Sequence, residues 1–433
     1  MQDLGGPLSD IRVLEFSQIV AGPVAGLNLA DLGADVIKIE PPEGDPHRFV
    51  GTTVPGEAKM YQGNNRGKRG VVIDLYDPRG VDLIYKLVPT VDVVLINYRP
   101  GVAGRLRVDY ETLKAIRQDI IYAQISGFGE TGPMADKGGA DIVGQAYSGL
   151  MAMNAKADEA GTPQLIGIPL SDYAAGLAIA MAVCAAIRHR DRMGEGQYIS
   201  TSLLRAGLHL QNRFVMREPV SDATIRDVAM QRLEEARARG DGFPELAALR
   251  NPRAGLATPF ALYYRAYHTK DGFIVIGALT PRNRDATRKA LGIEGDHSDD
   301  RDFDSRDPDN IATTNRWKKW IENLMVTKTS QAWIDILEEA RVPVAKVNFP
   351  EEMADDPQTN ADGMIWEMEH SVTGPQRVVG PPVLMSKTPT GNARAAPSLG
   401  EHTAEVLGEL GLSEAEVGTL NSAGVISCFP AGG

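Results

Sequence analysis

The sequence predicts an α/β fold: a doubly wound, mainly parallel sheet domain accompanied by a second, smaller α+β domain. Three observations carry this expectation. Short apolar runs rich in β-branched residues recur at 11–16 (IRVLEF), 35–40 (DVIKIE), 70–75 (GVVIDL), 91–96 (VDVVLI) and 119–126 (DIIYAQIS). Strands with so little polar alternation suit a sheet covered on both faces. Helical segments alternate with them, which is the order of successive strand-helix-strand crossovers. After about residue 215 the texture changes, and an Arg-rich stretch interrupts the alternation.

Taken in order, Ile11–Phe16 is the first strand, and Gly22, Pro23, Ala25 and Gly26 then allow a tight turn into a helix packed closely on the sheet, with Pro23 in its first turn. Asp35–Ile39 is the second strand. A third follows at 70–75, then a helix opened by Pro78 and running to about Val88, and strands at 91–96 and 119–126. The nearly uncharged run from Tyr173 to Ile187 is about 15 residues, short of the ~20 that span a bilayer, and reads as a core helix within Asp172–Arg190. A strand and helix fill Gln197–Leu210. Residues Ser221–Arg253 are polar and Arg-rich, a departure from the sheet domain. YYRAYHT and FIVIGA then pair as a hairpin turning at Asp271-Gly272. A helix from Pro281 precedes an Asp-dense stretch, 295–309, expected as a solvated loop. Helices near Thr313–Met325 and Ser330–Ala340, short strands (VAKVNF, GMIWEME) and a helix at 402–411 complete the chain.

Composition narrows the functional classes. The 433 residues carry 45 Lys+Arg against 57 Asp+Glu, a net charge of −12. Indiscriminate binding to nucleic acid phosphates is therefore disfavoured, and an anionic ligand needs a local basic site. Two cysteines, Cys184 and Cys428, form no cluster, which fits a reducing compartment and a cytoplasmic location. Met1–Ser9 has neither the basic nor the apolar region of a secretory signal. No membrane association is expected.

The chemistry-bearing candidates are few. Glu40 stands about 18 residues after Gly22, near where a ribose-binding acid would sit. Yet Ala21-Gly22-Pro23-Val24-Ala25-Gly26 is not GxGxxG, and its proline removes an N–H, so NAD is not the expected cofactor. Asn64 to Gly70 is a basic loop without the Walker pattern. Arg99, Arg105 and Arg107 follow the strand ending at Ile96, at the carboxyl end where such sheets bind ligands. Two basic loops in an acidic protein suit a small phosphate-bearing ligand, although solvated surface charge is the more ordinary explanation of them. The seven histidines are scattered, so no metal is expected, and no GxSxG elbow occurs. Asp172 stands out: it precedes the long apolar helix, where the helix dipole stabilises an anion and apolar walls would favour a nucleophilic carboxylate. Aspartate is also a preferred N-cap, and spacing alone favours that ordinary role while leaving the other open.

The residues also carry a resemblance. Leu8 to Phe16 with Ala21-Gly22-Pro23, Leu32 to Glu40, Asn65 to Arg69, Ser126-Gly127-Phe128-Gly129 with Gly132-Pro133, and Asp141 to Gly149 resemble class III CoA-transferases of the CaiB/BaiF type. So do the Asp172 segment, Gly194 to Gln197, Tyr267 to Ala278, Gly380-Pro381-Pro382, Leu399 to Thr403 and Gly424-Val425-Ile426. The similarity covers nearly the whole chain. It implies transfer of coenzyme A from an acyl-CoA donor to a carboxylic acid acceptor, with Asp172 as the nucleophile that forms an aspartyl anhydride and then an aspartyl-CoA thioester. It also implies CoA contacts from Arg99 and Arg105, and more weakly from Asn97, Lys68 and Arg69. Adenine contacts expected just after Glu40 meet Pro41-Pro42 instead.

The related α-methylacyl-CoA racemases, the alternative reading, place a histidine base before the Asp-Ile pair, where this chain has Ala140. The glycine-rich loop of formyl-type members is also not evident, so oxalate and formate are not expected substrates. The resemblance further implies a large CoA-binding domain from 1–215 plus 345–433, a small one from 216–344, and an interlocked homodimer.

Overall fold

The computed structural model describes residues 5–250, 256–392 and 394–430; the end of the Arg-rich segment, from 251, and the first four residues lie outside them. Two compact units emerge, Met1–Glu218 with Pro357–Gly433, and Pro219–Asp356.

The first unit is built on β1 (Arg12–Phe16), α1 (Ala21–Asp31), β2 (Asp35–Glu40), β3 (Arg69–Ile73), β4 (Val93–Ile96), β5 (Ile121–Ser126), α2 (Asp141–Ser148), α3 (Leu170–Met193) and β6 (Tyr198–Ser202). Six strands are parallel in the order β3-β2-β1-β4-β5-β6, with Val13 facing Val36 on one side and Val93 on the other. This is the doubly wound, Rossmann-like arrangement, and the chain changes direction across the sheet between β1 and β4. Alternate residues of each strand enter opposite cores. Leu14, Phe16, Ile37 and Val71 pack with Ile84 and Leu87 of the helix Pro78–Leu87, while Val13, Val36 and Val93 pack with Leu29 of α1 and Ala175, Ile179 and Val183 of α3. Both faces are covered, which is why the strands read as unbroken apolar runs.

Close approach explains the small residues of α1 and α3. A β-carbon on Gly176 would stand 2.6 Å from the Ala21 carbonyl oxygen, so α3 can cross α1 only with glycine there. Glu15, Lys38 and Lys68 are fully buried beneath α1. Lys68 Nζ lies 2.9 Å from the Glu15 carboxylate and donates to Pro23 O and Asn65 Oδ1, both at 2.9 Å. Burial pushes this ammonium down to about 8, against the pull of Glu15. A β-carbon on Gly26 would collide with Glu15 Oε2. Gly26→Ala is therefore expected to cost about 1–3 kcal/mol by overpacking a buried charge, read as a lower urea midpoint with unchanged slope.

After the second unit the chain returns to the first. The hairpin of β10 (Ile365–His370) and β11 (Gly374–Val379) leads to the helix Thr403–Glu409, whose Val406 and Leu407 join the core, and β12 (Ile426–Ser427) adds antiparallel to β3.

In the second unit, β7 (Tyr264–His268), β8 (Phe273–Gly277) and β9 (Val344–Lys346) form an antiparallel sheet. Tyr267, Ile274 and Ile276 pack on Ile321, Met325, Trp333 and Leu337, from the helices Pro308–Met325 and Ser330–Glu339. Two expectations change here. Because β9 pairs with β8, residues 345–356 stay with this unit, and the return to the first begins at Pro357 rather than at 345. The acidic stretch is likewise not simply solvated: Asp296 and Asp299 bind the guanidinium of Arg288, and Asp299 also that of the buried Arg284. The Arg-rich segment forms the helices Arg226–Arg239 and Phe243–Leu249.

Candidate active site

A cavity of about 750 Å³ opens over the carboxyl ends of β1 to β5, across the point where the strand order reverses. Its walls come from the residues at and beyond each strand's end: Gln18–Ala21 after β1, Pro41–Glu43 after β2, Asp74–Tyr76 after β3, Asn97–Pro100 after β4, and Ser126–Gly127 where β5 ends. Ligands bind open α/β sheets in this crevice because the crossovers diverge there.

Asp172 lines this cavity. It occupies the first turn of α3 and is 7% exposed, with its carboxyl facing the cavity. No side chain of its own helix start caps α3. Asp141, which opens α2, does so from outside: its Oδ1 accepts the N–H groups of Ser171 at 2.8 Å and Asp172 at 3.3 Å. Gln145, one turn along α2, donates to Asp141 Oδ2 at 2.5 Å and accepts the Ile166 N–H at 2.9 Å. Burial, and secondarily the Asp141 charge, raise the Asp172 carboxyl to about 7. Asp172 is thus no ordinary cap. Since Asp141 has taken over the capping, the Asp172 carboxylate is left to face the cavity as a poorly solvated anion, a state suited to attack on an acyl carbon or to proton transfer. Asp141 stands in the sequence only inside a motif, and its capping role needs the approach of α2 to α3 to become visible.

The expected ligand-binding residues separate into two groups. Arg99 lines the cavity, exposed to solvent, with its guanidinium over Gly138. Asn97 lines it too, but its amide is engaged with the Gln18 backbone, accepting from N at 2.9 Å and donating to O at 2.8 Å. Arg105 closes the short helix Val102–Arg105; Val102 and Leu106 line the cavity and the exposed Arg105 side chain does not. Lys68 and Arg69 are elsewhere. They stand at the amino end of β3 and neither lines the cavity: Lys68 is buried on Glu15 and the Pro23 carbonyl, and Arg69 is bound to Asp35, Glu405 and Glu409. In this geometry both side chains are committed to internal ion pairs. Glu40 does reach the cavity wall, yet both its oxygens are occupied, by Arg48 at 2.7 Å, by Tyr61 at 3.0 Å and by the Asp45 N–H at 2.9 Å. Ala140 lines the cavity beside Asp141 and offers a methyl group where a base would stand in a racemase.

Sequence reasoning missed the turn at Ile19. This β-branched residue has φ of 73° and is 43% exposed at the cavity. Such a conformation costs about 1–3 kcal/mol and persists only where the surroundings enforce it.

Arg99→Ala is expected to raise KM for an acyl-CoA about tenfold, with kcat changed less than about threefold, since a single charge-assisted contact to an anion is worth about 1.5 kcal/mol or more. Steady-state kinetics at fixed acceptor checks this.

Fold and site define a ligand-binding α/β enzyme with a buried carboxylate in the wall of its cavity. The chain belongs to CoA-transferase family III, whose family model matches residues 8–403. It is similar to the succinate–glutarate CoA-transferase of Agrobacterium fabrum, 34% identical over 93% of this chain and 96% of that one. The human succinyl-CoA:glutarate CoA-transferase is 32% identical over 97% and 90%. Among solved structures, a CaiB/BaiF family protein from Brucella suis superposes with a TM-score of 0.74 at 29% identity, covering 94% of this chain and 100% of that one. The protein is accordingly an enzyme that moves CoA between carboxylic acids, with CoA thioesters as substrates.

Proposed function

We propose that this enzyme transfers CoA from succinyl-CoA to a second dicarboxylic acid through covalent intermediates on Asp172. The observation that carries the mechanism is the Asp172 carboxylate itself: buried, uncommitted to capping, and facing a cavity of about 750 Å³ that also presents Arg99. Asp172 attacks the thioester carbonyl, the C–S bond breaks, and CoA leaves as thiolate from a mixed anhydride. The thiolate then attacks the Asp172 carbonyl, releasing the donor acid and leaving an aspartyl-CoA thioester. The acceptor carboxylate attacks that carbonyl and expels the thiolate, which finally attacks the acceptor's acyl carbon and frees Asp172. Dividing the exchange into anhydride and thioester steps is covalent catalysis. Arg99 holds CoA phosphate oxygens. The choice of acids is supported by relatives named for succinate or succinyl-CoA with glutarate, mesaconate and D-citramalate, at 30–34% identity.

Incubation with succinyl-CoA, trapping with hydroxylamine or borohydride, and peptide mass spectrometry tests this. Modification at Asp172 is expected; an unmodified Asp172 in a turning-over enzyme contradicts the mechanism. No transfer to glutarate, mesaconate or D-citramalate, with transfer to an acid that is not dicarboxylic, contradicts the substrate assignment alone.

The working form is an interlocked homodimer in the cytoplasm. Tyr173, Leu177 and Met181 support a dimer: spaced four apart on the outer face of α3, they are 39%, 49% and 71% exposed, an apolar stripe that a second copy would cover. Sedimentation at low concentration is expected to show no folded monomer.

A further inference from the structure

The turn between β1 and α1 is gripped by side chains at successive backbone polar groups. Lys38 Nζ donates to Ser17 O at 2.6 Å. Asn97 holds both the N–H and the carbonyl of Gln18. Both oxygens of Asp45 accept the Ile19 N–H, at 3.2 and 3.1 Å. The grip is itself braced: Asp45 is fully buried, lies 3.1 Å from Lys38 Nζ, and is tied through its own N–H to Glu40, which Arg48 and Tyr61 fix in turn. So much buried polar machinery is not needed to join a strand to a helix. A glycine at position 19 would take the left-handed conformation unaided. The chain instead has isoleucine there, forced into that conformation with its side chain at the cavity wall.

We propose that Asp45, with Lys38 and Asn97, is a positioning device for the transfer reaction, holding residues 17–19 in a strained turn that presents Gln18, Ile19 and the uncapped start of α1 to the cavity containing Asp172. These residues touch no reacting atom; they act through the turn. Its effect on turnover rests on the reading of Asp172 as nucleophile, whereas its effect on the backbone does not.

The test is a double-mutant cycle between Asp45→Asn and Ile19→Gly, assayed with succinyl-CoA and glutarate, together with a crystal structure of the Asp45→Asn protein. With Ile19 in place, Asp45→Asn is expected to lower kcat about 10- to 100-fold while KM for succinyl-CoA stays within about threefold, because the strained turn is no longer enforced. In the Ile19→Gly background the same substitution is expected to cost less than about threefold, since glycine needs no enforcement. A purely structural role for Asp45 gives the same loss in both backgrounds, and that result overturns the proposal. The crystal structure is expected to show Ile19 relaxed to negative φ; retention of the left-handed turn overturns the proposal whatever the substrate. Should Asp45→Asn fail to fold, Asn97→Ala releases the same turn at Gln18 and is expected to lower kcat about 5- to 20-fold with KM little changed; unaltered kcat then counts against the clamp. Full turnover in Asp172→Ala would refute the nucleophile reading and leave the Ile19 backbone result to judge the clamp.

Discussion

Asp172→Ala is expected to lower CoA transfer by about 10³- to 10⁵-fold, while the protein still binds CoA within about threefold of wild type. The size of the loss follows from the role: without the carboxylate neither the anhydride nor the aspartyl thioester can form, and proximity alone remains. Binding is spared because the cavity is formed by the ends of five strands, and Asp172 contributes one of many lining side chains. Its backbone N–H to Asp141 is also retained, so α3 keeps its cap. Asp172→Glu is the sharper comparison. It keeps the charge but advances the carboxylate by about 1.5 Å, and a displacement of that size at a reacting atom costs about 10²-fold. Steady-state kinetics with calorimetric CoA binding separates the two effects; a loss of CoA affinity matching the loss of rate would place Asp172 in binding rather than in chemistry.

The difference between what the chain pattern reveals and what only the fold reveals is physical. Strands buried on both faces leave an unbroken apolar record, so β1 to β5 could be placed from residues alone. Local signals such as Asp271-Gly272 also survive, because the turn and its sequence occupy the same few residues. Other features are non-local. Asp307 caps the helix Pro308–Met325 by accepting the N–H groups of Asp309 and Asn310, and within a run of aspartates this cap is indistinguishable from its neighbours. Arg69 follows a basic loop at a strand, like Arg99, but it stands at the amino end of its strand and Arg99 follows the carboxyl end of β4. Strand direction decides which arginine faces the cavity. The roles of Asp141, Asp45 and Asn97 depend on contacts spanning between 26 and 79 residues, which no window along the sequence contains.

The transfer rate is expected to rise with pH through an inflection near 7 in kcat/KM, reporting deprotonation of Asp172 in the free enzyme. Burial is the larger cause of that raised carboxyl and the charge of Asp141 the second, so the two are separable by mutation. Asp141→Asn retains an oxygen for the Ser171 and Asp172 N–H groups but removes the charge. The inflection is expected to move down by roughly half to one pH unit, at a lower plateau rate because a less basic carboxylate is a weaker nucleophile. The same electrostatics bears on stability. Between the unfolded value of 3.8 and the folded value of about 7, the folded state holds the Asp172 proton more tightly, so stability falls as pH rises across that window and the penalty is complete above it. Asp172→Asn is therefore expected to be more stable than wild type by about 1–3 kcal/mol at pH 8 in urea unfolding, solvent in the open cavity keeping the figure below the ~4 kcal/mol of a fully transferred shift. The advantage should shrink toward zero near pH 4, where wild-type Asp172 is largely protonated in the folded state and begins to be so in the unfolded one. An advantage that persists at pH 4 would trace to packing of the amide. One that vanishes with pH ties the instability to the charge on which the chemistry depends.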